Sequence, residues 1–90
     1  MTTNLSRNDE LRGVLSDIVR KRFINSRQVN PVSNLFLTTK YAVDHGYITG
    51  AILDETFSST LAELNLKNAT LTKQGHRKLA ELINQHTKEN

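Results

Sequence analysis

Residues 40–50 read KYAVDHGYITG and predict a helix, a turn and a strand in direct succession. The residues before this turn show the i, i+3, i+4 spacing of apolar and small side chains that marks a half-buried helix. Gly46 is suited to the left-handed conformation that ends many helices. Tyr47 and Ile48, which follow it, are good strand formers. We therefore expect a helix that ends near Asp44, Gly46 at positive φ, and a strand from Tyr47 onward.

The helix before this turn is expected to begin after Ser33, which is a suitable N-cap. Its inward side should carry Leu35 or Phe36, Thr39, Ala42 and Val43. Its outward side should carry Asn34, Thr38, Lys40 and Tyr41 or Asp44.

Downstream of the turn, the chain is expected to form a hairpin and return to a helix. Residues 54–65 predict an extended wing or a loop with a helical turn, because they are too many for a tight turn. Strand character resumes at Leu66 and Leu71. Thr72 is expected to cap a last helix over residues 73–86. The inward side of that helix should carry Leu79, Leu82 and Ile83.

The first half of the chain contains one clear helical pattern. Its apolar residues at helical spacing predict an amphipathic helix over residues 7–23, and they are Leu11, Val14, Leu15 and Ile18. Residues 24–33 offer at most a reduced second helix, because Pro31 disfavours helical geometry at Asn30. Residues 1–5 and 87–90 are expected to be loose tails.

Together these patterns predict a mainly α protein with a small β-hairpin, in the order α-α-β-β-α. A helix that leads into a strand, a long excursion, a second strand and a closing helix forms the back half of a winged helix-turn-helix with a long wing. The length of 90 residues fits a single domain over residues 1–90.

Composition limits the function classes. The net charge of +3, from 12 Lys and Arg against 9 Asp and Glu, fits a nucleic-acid-binding domain and equally a mildly basic soluble protein. The chain has no cysteine, which fits a reducing compartment. It has no apolar run near the ~20 residues that span a bilayer. We expect a cytoplasmic protein without a membrane partner.

Two motifs carry a family resemblance: HGYITG at residues 45–50 and LTKQGHRKLAEL at residues 71–82. With both present, the chain resembles the small bacterial YjcQ-like winged-helix proteins over about residues 35–85. The matching positions are Gly46, Tyr47, Ile48, Leu71, Thr72 and Gly75. The resemblance implies a winged-helix fold and a bacterial or phage origin. It implies no activity, because fold does not determine function.

Catalytic and metal-binding patterns are missing from the sequence. There is no cysteine and no G-x-S-x-G motif for nucleophilic catalysis. The spacings of His45, His76 and His86 match no metal-binding motif. The neighbouring acids of Asp9-Glu10 and Asp54-Glu55 point apart in a helix or a strand. We expect no enzymatic activity, no cofactor and no metal.

The helix before Gly46 is the expected DNA-reading element. Asn34 can bond to adenine, Thr38 can touch a base or a thymine methyl group, and Lys40 can reach guanine or phosphate. Arg27 and Lys67 can hold the DNA backbone from either side. The sequence thus predicts a small intracellular winged-helix protein that binds double-stranded DNA as a transcriptional regulator, either as a monomer or as a homodimer.

The basic run Arg20-Lys21-Arg22 has two interpretations. Positive charge at the end of a helix is stabilising in its own right. Together with Arg27, the same residues can instead form a phosphate-facing cluster.

A protein-interaction module, such as an adaptor or an inhibitor without DNA binding, is the alternative function. Phe57, Leu61 and Leu64 are spaced i, i+4, i+7 and would form an apolar helical face if the wing is helical there. If it is not, these side chains cover the core.

Overall fold

The computed structural model describes residues 7–56 and 58–88, without the side chains of residues 86–88. Its three helices are α1 (Arg7–Val19), α2 (Asn34–Asp44) and α3 (Lys73–Lys88). Its strands are β1 (Arg27–Val29), β2 (Ile48–Thr49), β3 (Ile52–Asp54), β4 (Ala62–Asn65) and β5 (Thr70–Leu71). The described part of the chain is therefore a small α+β protein with three helices and antiparallel strands, as predicted at that level.

Several predictions fall at the limits of the described residues. The expected tail over residues 1–5, the side chain of Phe57 and residues 89–90 lie outside them. At the C-terminus, α3 continues to Lys88, past the point where the sequence predicted a tail to begin.

A bent hairpin over residues 48–71 connects α2 to α3. Near the helices β2 pairs antiparallel with β5, and further out β3 pairs antiparallel with β4. At the bend Gly50 has a φ of 81°, and a Cβ there would be too close to the backbone of Asn68. Gly50 therefore permits both the left-handed conformation and the close approach that divide the hairpin into two short ladders.

Residues 24–33, where the sequence allowed at most a reduced second helix, contain a strand instead. Residues 27–29 form β1, which pairs antiparallel with β4 and places Val29 opposite Ala62. Residues 20–33 contain no helix, so α1 and α2 do not form a helix-turn-helix. A strand of three residues has too little local pattern to be recognised, and its partner lies more than thirty residues further along the chain.

The first helix is shorter than predicted, because it ends at Val19 instead of continuing to residue 23. The N–H of Lys21 donates to the carbonyl of Ile18, and the N–H of Arg22 donates to the carbonyl of Asp17. These are the two hydrogen bonds of a Schellman motif. Lys21 supplies its left-handed residue with a φ of 57°.

The two motifs that carry the family resemblance meet at one joint. Gly46 has a φ of 75°, and the hydroxyl of Thr72 accepts the N–H of Gly75, so both predicted helix-end roles are confirmed. The Thr72 hydroxyl also donates to the carbonyl of Gly46, and the Thr72 N–H donates to the carbonyl of Tyr47. Gly75 packs so closely on Tyr47 that a Cβ would overlap its carbonyl oxygen. These residues therefore bind the end of α2 to the start of α3.

The core lies where α1 packs on α2 and α3. The predicted stripe of α1 is confirmed, with Leu11, Val14, Leu15 and Ile18 all buried. On α2, Ser33 caps the helix by accepting the N–H of Phe36, and Phe36 is fully buried. The remaining buried apolar residues are Ala42, Ile48, Ala62, Leu64, Leu66, Ala69, Leu79 and Leu82.

One prediction about an apolar face is wrong, and one open alternative is resolved. Ile83 is 48% exposed, since the buried side of α3 is centred on Leu79 and Leu82. The wing is not helical at Leu64, which lies in β4 and covers the core, as the second interpretation of these residues expected. In that strand Ala62 and Leu64 alternate with Glu63 and face the core.

Candidate nucleic-acid interface

The five predicted DNA-binding residues lie on three separate parts of the chain, and one of them is buried. Asn34 and Lys40 are exposed on α2, Arg27 is exposed on β1, and Lys67 is exposed in the turn before β5. Thr38 is only 6% exposed, so its expected outward position is wrong. It lies one turn before Ala42, which is fully buried, and α2 packs on both α1 and β2. The buried side of α2 is therefore wider than the periodicity suggested, and Thr38 cannot reach a base.

Lys40 has a partner within the protein. Its Nζ lies 3.0 Å from Oε2 of Glu55, which follows β3, so the pair connects α2 to the hairpin. The hydrogen bond and the negative charge of Glu55 raise the pKa of Lys40 above its usual value. Asp44 is exposed four residues further along the same helix. The exposed side of α2 thus offers DNA no free lysine or arginine.

The hairpin is acidic up to Leu66, just before the exposed Lys67. Residues 48–66 contain Asp54, Glu55 and Glu63 but no lysine or arginine. Asp54 lies directly opposite Glu63 in the β3–β4 ladder, so both carboxylates are on the same face. Hydrogen bonds from the hydroxyl and the N–H of Thr56 lower the pKa of Asp54 and favour its charged form. This surface repels phosphate.

Positive charge gathers around the first turns of α3. Lys21, just after α1, and His76 of α3 line one cleft of about 180 Å³ together with Thr70 and Leu71. Lys73 and Arg77 flank His76 on the exposed side of α3, since residues three and four apart are neighbours on a helix. We define the basic surface by its five exposed members: Arg20, Lys21, Lys73, His76 and Arg77.

The members of the basic surface make no ion pair with any described residue. The first turn of α3 also contains no acidic residue. Because a helix dipole favours negative charge at its N-terminus, Lys73 is not placed there to stabilise the helix. The run KQGHRK at residues 73–78 was the sequence signal for this surface, but its periodicity indicated only a closing helix.

The residues of the basic run after α1 lie in two different surroundings. Arg20 and Lys21 are exposed without an ion-pair partner among the described residues. Arg22 lies 3.9 Å from Asp17 and lines a cleft of about 220 Å³ with Arg27. The proposed cluster of Arg22 and Arg27 is thus brought together in space, whereas Lys21 lies with α3.

A second cleft, of about 320 Å³, adjoins the basic surface at the joint between α2 and α3. Its wall carries His45 and Tyr47, and the ring of Tyr41 stacks on His45 at a centroid distance of 3.9 Å. Arg77 lines the same cleft, as does Lys78. A hydrogen bond to Glu81 raises the pKa of Lys78, which is therefore committed to an ion pair. Arg77 is the cation that this cleft shares with the basic surface.

Within the described residues, no three His, Cys, Asp or Glu side chains are placed to hold a metal ion. None of the helices in the described ranges combines the length and the apolar composition of a bilayer-spanning segment.

Comparison with known proteins finds no match: no family model, no curated protein and no solved structure matches this chain. The resemblance to YjcQ-like proteins remains a prediction, as does the absence of enzymatic activity.

Proposed function

We propose that this chain is a winged-helix protein that binds double-stranded DNA through the basic surface. The order of α1, α2, a long hairpin and α3 supports the winged-helix assignment, although β1 occupies the place of a second helix. The observation that supports DNA binding is the separation of charge. Unpaired cations lie on α3 and at the end of α1, while residues 48–66 of the hairpin carry three carboxylates and no cation, and the lysine of α2 is paired.

This arrangement favours contact with phosphates over sequence reading by α2. Lysine and arginine that neutralise phosphates release counterions, which makes the affinity depend on salt but little on sequence. Lys73 and Arg77 lie on the exposed side of one helix, and Lys21 extends the same surface across β5. A DNA backbone that lies across these residues avoids the carboxylates of Asp54 and Glu63.

Titration of random and selected fluorescent duplexes by anisotropy, over a series of salt concentrations, tests the proposal. We expect a dissociation constant of about 10⁻⁴–10⁻⁶ M at physiological salt, with little preference among sequences. Lys73→Ala and Arg77→Ala should each weaken binding to every duplex and reduce the salt slope by about 1. Lys40→Ala is the matched control, because it removes a lysine that Glu55 already pairs.

The results distinguish DNA binding by α2 from DNA binding by the basic surface. If Lys40→Ala and Asn34→Ala weaken binding and remove a sequence preference, α2 is the reading element and the basic surface is not. If no duplex binds at ~10⁻⁴ M protein in low salt, the protein does not bind DNA, because even nonspecific binders reach that affinity.

A further inference from the structure

α1 contains a glycine for which the described structure shows no use. Gly13 lies in the middle of the helix and is exposed. A Cβ built on it would meet no described atom within 4 Å. Glycine is less favourable than alanine inside a helix, so Gly13 lowers the stability of α1 without a described packing contact that offsets the loss.

Gly13 lines a groove of about 330 Å³ between α1 and the start of α2. We call it the α1 groove. Its apolar lining comes from Val14, Phe23 and Leu35, of which Phe23 and Leu35 are half-buried. A side chain at position 13 would narrow this groove, and glycine keeps it open.

The α1 side of the groove is acidic. Asp9, Glu10 and Asp17 line it, and Arg27 is the cation among its lining residues. Asp9 is paired with Arg12 at 3.2 Å, so the negative charge that faces the groove comes from Glu10 and Asp17. Glu10 is half-buried and makes no ion pair with a described residue, and Asp17 has only a long contact with Arg22 at 3.9 Å. Glu10 and Asp17 are seven residues apart, which spreads their charge over roughly 10 Å along the helix.

We propose that the α1 groove docks a segment of a partner protein that carries an apolar side chain between basic ones. The apolar side chain lies on Phe23 and Leu35 beside Gly13, and the lysines or arginines face Glu10 and Asp17. Charge complementarity identifies this occupant. Nucleic acid is repelled by the same carboxylates, and residues 1–6 of the chain itself contain no lysine or arginine.

A library of random 12-residue peptides displayed on phage, selected on the full chain, provides the probe. Selected peptides are expected to combine an apolar residue with two or more lysines or arginines. Synthetic versions are then titrated by fluorescence anisotropy. Gly13→Leu should weaken their binding about tenfold or more by filling the groove. Glu10→Gln should slow association and reduce its salt dependence.

Three controls distinguish a blocked groove from an unfolded protein. Ala80→Leu places the same side chain on an exposed position of α3 and should leave peptide binding unchanged. Gly13→Ala should raise the thermal midpoint by about 4–8 °C, because it removes an unfavourable helical glycine. DNA binding by Gly13→Leu should equal that of the wild type, since the groove and the basic surface are distinct.

Three results would overturn the proposal. The first is selected peptides that bind Gly13→Leu as tightly as the wild type. The second is selection of peptides without basic residues. The third is a wild-type dimer in sedimentation that Gly13→Leu dissociates, which would make a second copy the occupant of the groove.

Discussion

α1 and α2 end in the same way with different residues. At the end of α1 the N–H groups of Lys21 and Arg22 donate to the carbonyls of Ile18 and Asp17. At the end of α2 the N–H of Gly46 donates to the carbonyl of Val43, and the N–H of Tyr47 donates to the carbonyl of Ala42. The left-handed residue is Lys21 in one motif and Gly46 in the other, with φ values of 57° and 75°.

The two helix ends differ in the backbone strain of their left-handed residue and in what that residue contacts. Gly46 adopts its conformation without strain, and the joint with Thr72 and Gly75 holds the turn against α3. Lys21 adopts an unfavourable conformation at an exposed position and presents its charge beside His76. The glycine end thus serves packing, whereas the lysine end places a charged side chain at a strained backbone position. Four substitutions test this contrast, in order of decreasing expected effect.

Gly75→Ala should destabilise the protein most, by about 3 kcal/mol or more, because the new Cβ overlaps the carbonyl oxygen of Tyr47. Helix propensity alone predicts the opposite sign, a gain of about 1 kcal/mol. Gly13→Ala is the matched control, since it is the same change in a helix without a close neighbour, and it should produce that gain. Urea denaturation measures both. A stabilised Gly75→Ala variant would show that the α2–α3 joint is looser than described.

Gly46→Val should reduce the free energy of unfolding by about 2 kcal/mol, because a β-branched residue is disfavoured at positive φ. The nearest atom to a new Cβ is Oε1 of Gln74, at 3.0 Å, which is the flexible end of a side chain. The loss should therefore come from the backbone, and Gly46→Asn should lose less. An unchanged denaturation midpoint in the valine variant would contradict the role of Gly46.

Thr72→Ala should reduce the free energy of unfolding by about 1 kcal/mol, within the usual range for an N-cap. The substitution removes the acceptor for the Gly75 N–H and the donor to the Gly46 carbonyl. Thr72→Ser keeps both groups and should retain most of the stability. If serine and alanine are equally destabilising, the hydroxyl is not what holds the joint. Thermal unfolding of the three proteins makes the comparison.

Lys21→Gly should be more stable than Lys21→Ala by about 1 kcal/mol, since both lose the charge and only glycine relieves the left-handed strain. Chemical denaturation of the two variants measures the difference. On the proposed function, both should also bind DNA more weakly than the wild type. Equal stability of the two variants would mean that residue 21 is not held at positive φ in solution.

The sequence identified the glycine end but not the lysine end, and this contrast shows what a local pattern can reveal. Gly46 followed by strand formers is a recognisable signal, as is Thr72 before a helical run, and both roles are confirmed. Lysine at a left-handed position gives no such signal, so the predicted helix continued past Val19 to residue 23. The hydrogen bonds that end α1 are visible only once the backbone has folded.

The predictions about the candidate interface divide in the same way, into features of one helix and features that depend on residues distant in sequence. Exposure of Asn34 and Lys40 could be predicted from helical spacing, since it depends on the residues of α2 alone. The burial of Thr38 depends on what packs against α2, and the pairing of Lys40 depends on the hairpin bringing Glu55 within 3.0 Å. The basic run at residues 73–78 is visible in the sequence. That Lys21 lies beside this run is not visible, because the two are more than fifty residues apart.

Local sequence patterns correctly predicted the three helices, most of their buried faces and three of the residues at their ends: Ser33, Gly46 and Thr72. These features depend on residues within one or two turns of each other, so their physical causes are all present in a short stretch of chain. Folding of the whole chain was needed to form β1, the bend at Gly50, the Gly75–Tyr47 contact and the separation of acidic from basic surface. Each of these joins segments that are distant in sequence, and a local pattern carries no information about which distant partner will be met.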